Sequence, residues 1–324
     1  MELHLAFELR SPAGATPHRD LHPAMLDVCT WADDLGFAYA NFGEHHASVS
    51  GYNPSPLVSC AAVAGRTRRI RMRPNVLLAP FYNPVRLAED TAVLSLVSRG
   101  RFDIAIGGGY RQRECAMYGT RLDDRWQTVG DTIAFLRSAW TGESFEYEGR
   151  SLCIRPVPDP LPRIFLGGGS AATARRAARM ADGFATPHDA ALWEPYRKEC
   201  LALGKPDPGP AQALGPVFLW VAEDVEAAWR MLMPHVLGQI GEYVQFTVEG
   251  FGEARGPYRG GVSPEQARAN PAYRVLTVDE AIALGEQLGS RGLLLLNPLM
   301  GGIPIHEAWR MLRLFETRVL PYLP

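Results

Sequence analysis

Three adjacent residues, Glu44, His45 and His46, combine a carboxylate with two imidazoles directly after a short apolar segment. Imidazole titrates near neutral pH, so a histidine at the end of a strand is suited to act as a general acid or base. Neighbouring strand residues point to opposite faces, so Glu44 and His46 share one side and His45 takes the other. One histidine is expected to act chemically. The alternative is that both are hydrogen-bonded structural histidines.

The same three residues must also be weighed as a metal site. Metal hydrolases built on barrels need a His-x-His pair that projects together, with further ligands from later strands. The other histidines of the chain show no such spacing. The five cysteines are odd in number and never form CxxC, which argues against a disulfide framework and against zinc. We therefore predict no bound metal.

Two glycine clusters follow predicted strands and are candidates for binding a phosphate or a planar ring. The first consists of Gly107, Gly108, Gly109, Tyr110 and Arg111, and the second of Gly167, Gly168, Gly169, Ser170 and Thr173. Glycines at a strand-to-helix turn let backbone N–H groups approach an anion, and the helix dipole adds to the attraction. Ser170 and Thr173 can supply hydroxyl groups, and the following helix carries Arg175 and Arg176.

The second cluster also matches a weakened dinucleotide fingerprint, because Gly167, Gly169 and Ala172 have the G-x-G-x-x-A spacing. A Rossmann dehydrogenase is disfavoured, since four βα units precede the motif. A phosphate loop of a barrel explains the same residues. For the first cluster, packing of strand against helix is an equal alternative, and Arg111 is equally consistent with a solvated charged turn.

The elements that must position these residues follow a repeating pattern. Apolar runs alternate with amphipathic stretches along the chain, which is typical of parallel α/β proteins. Strands are predicted at 3–9, 38–42, 71–78, 101–107, 163–167, 183–186, 216–221 and 292–296. Eight βα units in 324 residues predict a single domain over residues 1–324, a (β/α)₈ TIM barrel. Active sites of such barrels lie at the carboxyl ends of the strands.

Two insertions are predicted in this barrel. Residues 144–162 alternate like strands and contain prolines, which indicates a β-hairpin before the fifth strand. Residues 238–274 are rich in glycine and aromatic residues, and they predict a long loop after the seventh strand. We interpret this loop as an active-site lid. The alternative is a plain surface insertion.

Charge and hydropathy narrow the classes of partner. The chain carries 33 basic and 35 acidic residues with no long run of one sign, which disfavours nucleic acid and anionic membranes as partners. The first residues lack the pattern of a signal peptide, and no segment reaches the roughly 20 apolar residues of a membrane span. We therefore expect a cytoplasmic protein that binds a small molecule.

The order and spacing of several motifs resemble the bacterial-luciferase-like flavin-dependent monooxygenase family. The motifs are EHH at 44–46, NPVRLAED at 83–90, SRGRF at 98–102, GGGY at 107–110 with Glu114, the segment 164–173 and the closing helix 311–323. The likeness extends over nearly the whole chain. It implies a (β/α)₈ barrel, a homodimer, and reduced FMN bound at the C-terminal face. In related members the cofactor is a deazaflavin coenzyme.

The resemblance also implies roles for individual residues. His45 becomes the candidate acid or base beside the flavin, with His46 and Glu44 supporting it. Asn75 and Val76 match the place where the family often holds a non-proline cis peptide bond beneath the isoalloxazine ring.

One position departs from the family pattern. Where many relatives have an arginine that meets the phosphate, this chain has Gly108. Arg111, Ser170 and Thr173 are the residues expected to replace it.

The function implied by the resemblance is a two-component monooxygenase. A separate NAD(P)H-dependent flavin reductase would deliver reduced FMN, which would react with oxygen so that a small organic substrate is oxygenated. The nearest alternative is a deazaflavin-dependent oxidoreductase that transfers hydride and uses no oxygen. A different class is a non-catalytic flavin-binding protein, which would need the glycine clusters but not His45.

Overall fold

The computed structural model describes residues 1–185, 189–259 and 263–324. Its strands are β1 (Glu2–Phe7), β2 (Tyr39–Phe42), β3 (Arg71–Leu78), β4 (Ile104–Gly107), β5 (Phe145–Tyr147), β6 (Arg150–Leu152), β7 (Ile164–Gly167), β8 (Gly183–Ala185), β9 (Phe218–Val221), β10 (Tyr273–Leu276) and β11 (Leu293–Leu296). Its α-helices are α1 (His18–Asp34), α2 (Pro56–Arg66), α3 (Pro84–Ser98), α4 (Gln112–Tyr118), α5 (Arg125–Ala139), α6 (Ala171–Met180), α7 (Trp193–Ala202), α8 (Val225–Phe251), α9 (Pro264–Ala269), α10 (Val278–Leu288) and α11 (Ile305–Arg318). Thr186, the predicted end of the sixth strand, lies outside the described residues.

The chain divides into two compact units. The terminal unit contains Met1–Asn41, Ser48–Asn53 and Ala211–Pro324, and the central unit contains Phe42–Ala47 and Pro54–Pro210. Parallel strands alternate with helices in both units, which confirms the α/β class. One domain over residues 1–324 stays a prediction. Among the described residues, every helix is too short or too polar to cross a membrane.

In the terminal unit, β1 lies between β11 and β2. The parallel register sets Glu2 opposite Leu293 and Leu5 opposite Leu296. Strands β9 and β10 form a second parallel pair. Leu5, Leu294 and Leu296 are fully buried. Burying a leucine side chain stabilises a fold by about 1.5–3 kcal/mol, so these apolar strands hold the unit together.

The terminal unit corrects the prediction of a long loop after the seventh predicted strand. Residues 238–251 form the second half of α8. The glycines of this segment led to the loop prediction, since an interior glycine costs a helix about 1 kcal/mol. This part of the helix nevertheless buries Ile240 and Phe246, and that burial offsets the cost. The lid role of 238–274 stays a prediction, and its residues 260–262 lie outside the described parts.

Strand β10 is an element that the sequence prediction missed. It has only four residues, and it pairs with β9 from Tyr273 opposite Phe218 to Leu276 opposite Val221. Helix α10 begins directly after it with a reciprocal cap, in which the Thr277 hydroxyl accepts from the Glu280 N–H and the Glu280 carboxylate accepts from the Thr277 N–H. A short strand between two helices leaves too few residues for alternation to be recognised.

A buried polar cluster crosses the terminal unit. The Arg10 guanidinium, 1% exposed, donates to Glu8 Oε1 over 2.8 Å and to Glu242 Oε2 over 2.6 Å. Ser48 and Ser50 also donate to Glu242. Burial alone would raise the pKa of Glu242, but the two serine hydroxyls and Arg10 outweigh it and hold that pKa below its ordinary value. The cluster therefore ties the segment after β1 to the middle of α8.

In the central unit, the parallel strands lie in the order β3, β4, β7 and β8. Their carboxyl ends consequently share one edge. At the opposite edge, Arg71 and Arg163 both donate to the buried Asp103 carboxylate, which fixes the starts of three neighbouring strands. The antiparallel hairpin of β5 and β6 precedes β7 and confirms the first predicted insertion.

Candidate active site

The candidate site lies in the central unit, at the edge where β3, β4 and β7 end. Glu44, His45 and His46 follow β2, and all three are buried. The glycine clusters begin with Gly107 and Gly167, the last residues of β4 and β7. The carboxyl ends of parallel strands are where α/β proteins place their reactive groups, so the predicted residues occupy the expected position.

Glu44 acts as an acceptor that fixes the end of β3. Its Oε2 accepts from the backbone N–H of Leu78 over 2.8 Å. Its Oε1 accepts from the Tyr82 hydroxyl and from His46 Nε2, each over 2.9 Å. Burial and the charge of Glu44 raise the pKa of Tyr82, so its hydroxyl stays a donor. With three donors on its carboxylate, Glu44 serves as a support.

His46 is held through both ring nitrogens. Because Nε2 donates to Glu44, Nδ1 of the neutral ring is the acceptor for the Tyr118 hydroxyl, 3.0 Å away. The ring meets Phe81 and Tyr118 edge-on, and those two rings stack at 4.6 Å. These contacts give His46 a structural role.

His45 has different partners. Its Nδ1 lies 2.8 Å from Glu114 Oε1, and its Nε2 lies 3.3 Å from the Tyr110 hydroxyl. Tyr110 belongs to the first glycine cluster. The structure therefore joins the histidine motif and the first glycine cluster, which lie far apart in sequence. This contact is a finding of the structure, since sequence periodicity does not relate residues across such a separation.

Glu114 belongs to the motifs that carry the family resemblance, and the sequence alone gives no sign of its contact with His45. Its side chain is fully buried, and Oε1 accepts from His45 Nδ1, from the His46 N–H and from Arg111 Nη1. Burial alone would raise the pKa of Glu114. The hydrogen bond and charge of His45, the His46 N–H and the charge of Arg111 outweigh burial, so this pKa lies below its ordinary value. Glu114 is therefore an ionised acceptor.

Arg111 is buried and does not form a solvated turn. Its Nη1 donates to the His46 carbonyl over 2.8 Å and to Glu114 Oε1 over 3.0 Å. A guanidinium placed this way compensates the buried carboxylate at the start of α4. The role of Arg111 as a phosphate ligand stays a prediction.

Val76 covers the ends of β4 and β7. The peptide bond between Asn75 and Val76 is cis, as predicted. A Cβ on Gly107 would lie 2.6 Å from Val76 Cγ2, and a Cβ on Gly167 would overlap Val76 Cγ1. Because both positions lack a side chain, the valine lies across two strand ends. The result is an apolar surface suited to a planar ring.

The second glycine cluster forms the start of α6. Ser170 caps the helix, because its Oγ accepts from the Thr173 N–H over 3.2 Å. The two hydroxyls lie 2.9 Å apart. Gly168 has a positive φ of 153°, and a Cβ there would lie 2.6 Å from Thr173 Cγ2. Hydroxyl groups at the positive end of a helix dipole favour an anion.

Arg125 is a further candidate that sequence reasoning missed. Its aliphatic stem packs 3.2–3.3 Å from the point where a Cβ of Gly108 would lie. Its guanidinium and that of Arg176 lie 5.9 and 4.8 Å from the centre of the Trp126 ring. Within the described parts of the chain, neither guanidinium forms an ion pair. No motif marks Arg125, and its one signal in the sequence is Gly108, where the family resemblance leads us to expect an arginine.

A parallel α/β fold with buried histidines and two glycine-rich turns at its strand ends is an arrangement shared by many oxidoreductases. The fold matches that of the oxygenating constituent of 3,6-diketocamphane monooxygenase from Pseudomonas putida, solved with FMN. The TM-score is 0.76 at 20% identity, over 100% of this chain and 99% of that one. The luciferase-like monooxygenase model matches residues 1–284. The chain belongs to the luciferase-like monooxygenase family.

Two curated relatives show the cofactors found among similar proteins. The oxygenase component of the flavin-dependent trigonelline monooxygenase of Acinetobacter baylyi is 26% identical, over 51% of this chain and 48% of that protein. The F420-dependent glucose-6-phosphate dehydrogenase of Amycolatopsis mediterranei is 30% identical, over 49% of this chain and 52% of that protein. The chain thus matches about half the length of each. The named relatives include both flavin-dependent and deazaflavin-dependent oxidoreductases.

Proposed function

We propose that the protein is a flavin-dependent monooxygenase. It uses reduced FMN and oxygen to oxygenate a small organic substrate, and a separate NAD(P)H-dependent reductase supplies the reduced flavin. The proposal includes a closed (β/α)₈ barrel and a homodimer. The observation that carries it is the contact of His45 Nε2 with Tyr110, because it sets an acid or base beside a glycine cluster.

The residues at the strand ends fit FMN. The apolar surface of Val76 suits the isoalloxazine ring, and Asn75 precedes it in the same strand. Ser170, Thr173 and Arg125 offer hydroxyl groups and a cation that suit the phosphate. When bound, reduced FMN supplies the electrons that activate oxygen.

The protein's own contribution is to hold and move a proton at His45. With Glu114 on Nδ1, the imidazole takes up or releases a proton at Nε2, where Tyr110 lies. Glu44 and His46 fix the segment that carries His45. The side chain of His45 is only 9% exposed, so bulk water is largely excluded from the reacting nitrogen.

A second candidate function is hydride transfer with a deazaflavin. The dehydrogenase of Amycolatopsis mediterranei, which is F420-dependent, is 30% identical to this chain, and this likeness favours the second candidate. The same glycine clusters and the same surface of Val76 suit a deazaflavin ring. The two functions differ in their use of oxygen.

An oxygen-electrode assay with chemically reduced FMN and a panel of small organic substrates tests the proposal. We expect substrate-dependent oxygenation by the wild type and a loss of about 100-fold in product formation in His45→Ala. His306→Ala, in which an 80% exposed histidine is removed, is the matched control and should keep the wild-type rate. Equal rates for His45→Ala and wild type would overturn the role of His45.

A further inference from the structure

Two Glu–His pairs in the central unit use opposite nitrogens of their rings. Glu114 meets Nδ1 of His45 at 2.8 Å, whereas Glu44 meets Nε2 of His46 at 2.9 Å. An ionised carboxylate only accepts hydrogen bonds, so the nitrogen that faces it must carry a proton. The two adjacent histidines are therefore held in opposite tautomers.

We infer that Glu114 is a positioning residue that keeps the His45 proton on Nδ1, so that Nε2 is the basic nitrogen facing Tyr110. This inference rests on the proposed function for its catalytic meaning, and on geometry alone for the tautomer. Glu114 is fixed for this task by two further donors, the His46 N–H and Arg111 Nη1. These contacts leave its carboxylate little freedom to turn away from His45.

The two oxygen atoms of the Glu114 carboxylate have different surroundings, which makes the inference testable. Among the described residues, Glu114 Oε2 accepts no hydrogen bond, while all the donors meet Oε1. Gln at this position can thus keep its amide oxygen on the three donors and turn its NH₂ group to the side without a donor. Glu114→Gln removes the charge and preserves the acceptor.

Titratable and charged groups near His45 influence its protonation. The titratable and charged groups around it are Glu114, Arg111, Tyr110 and His46, with Glu44 and Tyr118 beyond His46. Of these groups, the Glu114 carboxylate is the charged one that forms a hydrogen bond with the His45 ring. A nearby negative charge favours the imidazolium form, so its removal disfavours proton uptake.

The first measurement is nitrogen NMR of histidine-labelled protein without cofactor. In the wild type, we expect the proton of neutral His45 on Nδ1 and that of neutral His46 on Nε2. In Glu114→Gln the His45 tautomer should persist, whereas in Glu114→Leu, which has no acceptor, an Nε2–H signal should appear for His45. Tyr118→Phe, which removes a partner of His46 only, should leave the His45 signals unchanged.

The second measurement is the pH profile of kcat/KM. In Glu114→Gln the acid limb should move to lower pH, because the imidazolium form has lost the carboxylate that stabilises it. A purely structural Glu114 would lower stability and leave that limb in place. A wild-type His45 that carries its proton on Nε2, or a Glu114→Gln profile that superimposes on the wild type, overturns the inference. Absence of oxygenation in the wild type would instead count against the proposed function, and the NMR result would still decide the tautomer.

Discussion

The side chain of Arg125 fills the space in which a side chain at Gly108 would begin, with its Cγ 3.2 Å from that point. The position where the family resemblance leads us to expect an arginine is thus covered by an arginine from the start of α5. This relationship gives a physical reason for the departure at Gly108, since a Cβ there would lie only 3.2–3.3 Å from three carbon atoms of Arg125. It also identifies the cation that we expect beside the phosphate.

Arg125→Ala tests this assignment. We expect the variant to bind reduced FMN about tenfold more weakly, because one charge-assisted contact with the phosphate is lost. Binding of riboflavin, which has no phosphate, should not change. Arg121→Ala removes a largely exposed arginine and is the matched control. Equal weakening of FMN and riboflavin would show that Arg125 supports the fold only.

The close approach of Val76 to Gly167 can be tested by a pair of substitutions, in which the second restores stability that the first removes. Gly167→Ala should lower the free energy of unfolding by about 1–3 kcal/mol, because the new methyl group overlaps Val76. Adding Val76→Ala should restore part of that loss. Gly65→Ala in α2, where a Cβ meets nothing within 4 Å, is the control and should stabilise the protein. Urea unfolding measures the wild type, Gly167→Ala, Val76→Ala, the double variant and the control, and strictly additive losses would contradict the proposed overlap.

Substitutions of the two histidines should differ in their effects, one mainly on stability and the other mainly on the reaction. His46→Ala removes one of the three donors on the buried Glu44 carboxylate and the acceptor of the Tyr118 hydroxyl, so we expect the free energy of unfolding to fall by about 1–3 kcal/mol. His45→Ala should lose product formation with a smaller loss of stability. Thermal or urea unfolding beside the oxygenation assay measures both effects. The reverse ranking would exchange the roles assigned to the two residues.

The lowered pKa of Glu242 predicts that the stability of the protein depends on pH. Its folded-state pKa lies below the ordinary value of 4.5. The carboxylate therefore stabilises the fold above that ordinary value, and the contribution is lost as the pH falls through the folded-state pKa. Glu242→Gln should be about 3 kcal/mol less stable than wild type at neutral pH, and the gap should narrow as the pH falls below 4.5. The exposed Glu286→Gln is the control. A gap that is constant with pH would contradict this account.

The α/β class, the hairpin and most strand positions could be predicted, because alternation of apolar residues and turn signals are local. The cis bond at Asn75 and Val76 was predicted from family resemblance, since no local pattern indicates it. The second half of α8 was mispredicted because the stripe that it buries outweighs its glycines, and that balance depends on tertiary packing.

The candidate site was predictable in its reactive residues but not in their supports. Residues 44–46 and the glycine clusters stand out in sequence. The partnership of His45 with Glu114 joins a residue that follows β2 to a residue of α4. The aliphatic stem of Arg125, at the start of α5, packs against Gly108, which directly follows β4. Such pairings arise from the packing of elements, which a single sequence does not display.

An anaerobic titration that compares reduced FMN with a reduced deazaflavin tests the central claim most directly. We predict that the wild-type protein binds reduced FMN with a Kd of about 1 μM, a binding free energy of about −8 kcal/mol, and the deazaflavin more weakly. Tight binding of the deazaflavin with no detectable binding of reduced FMN would contradict the monooxygenase proposal.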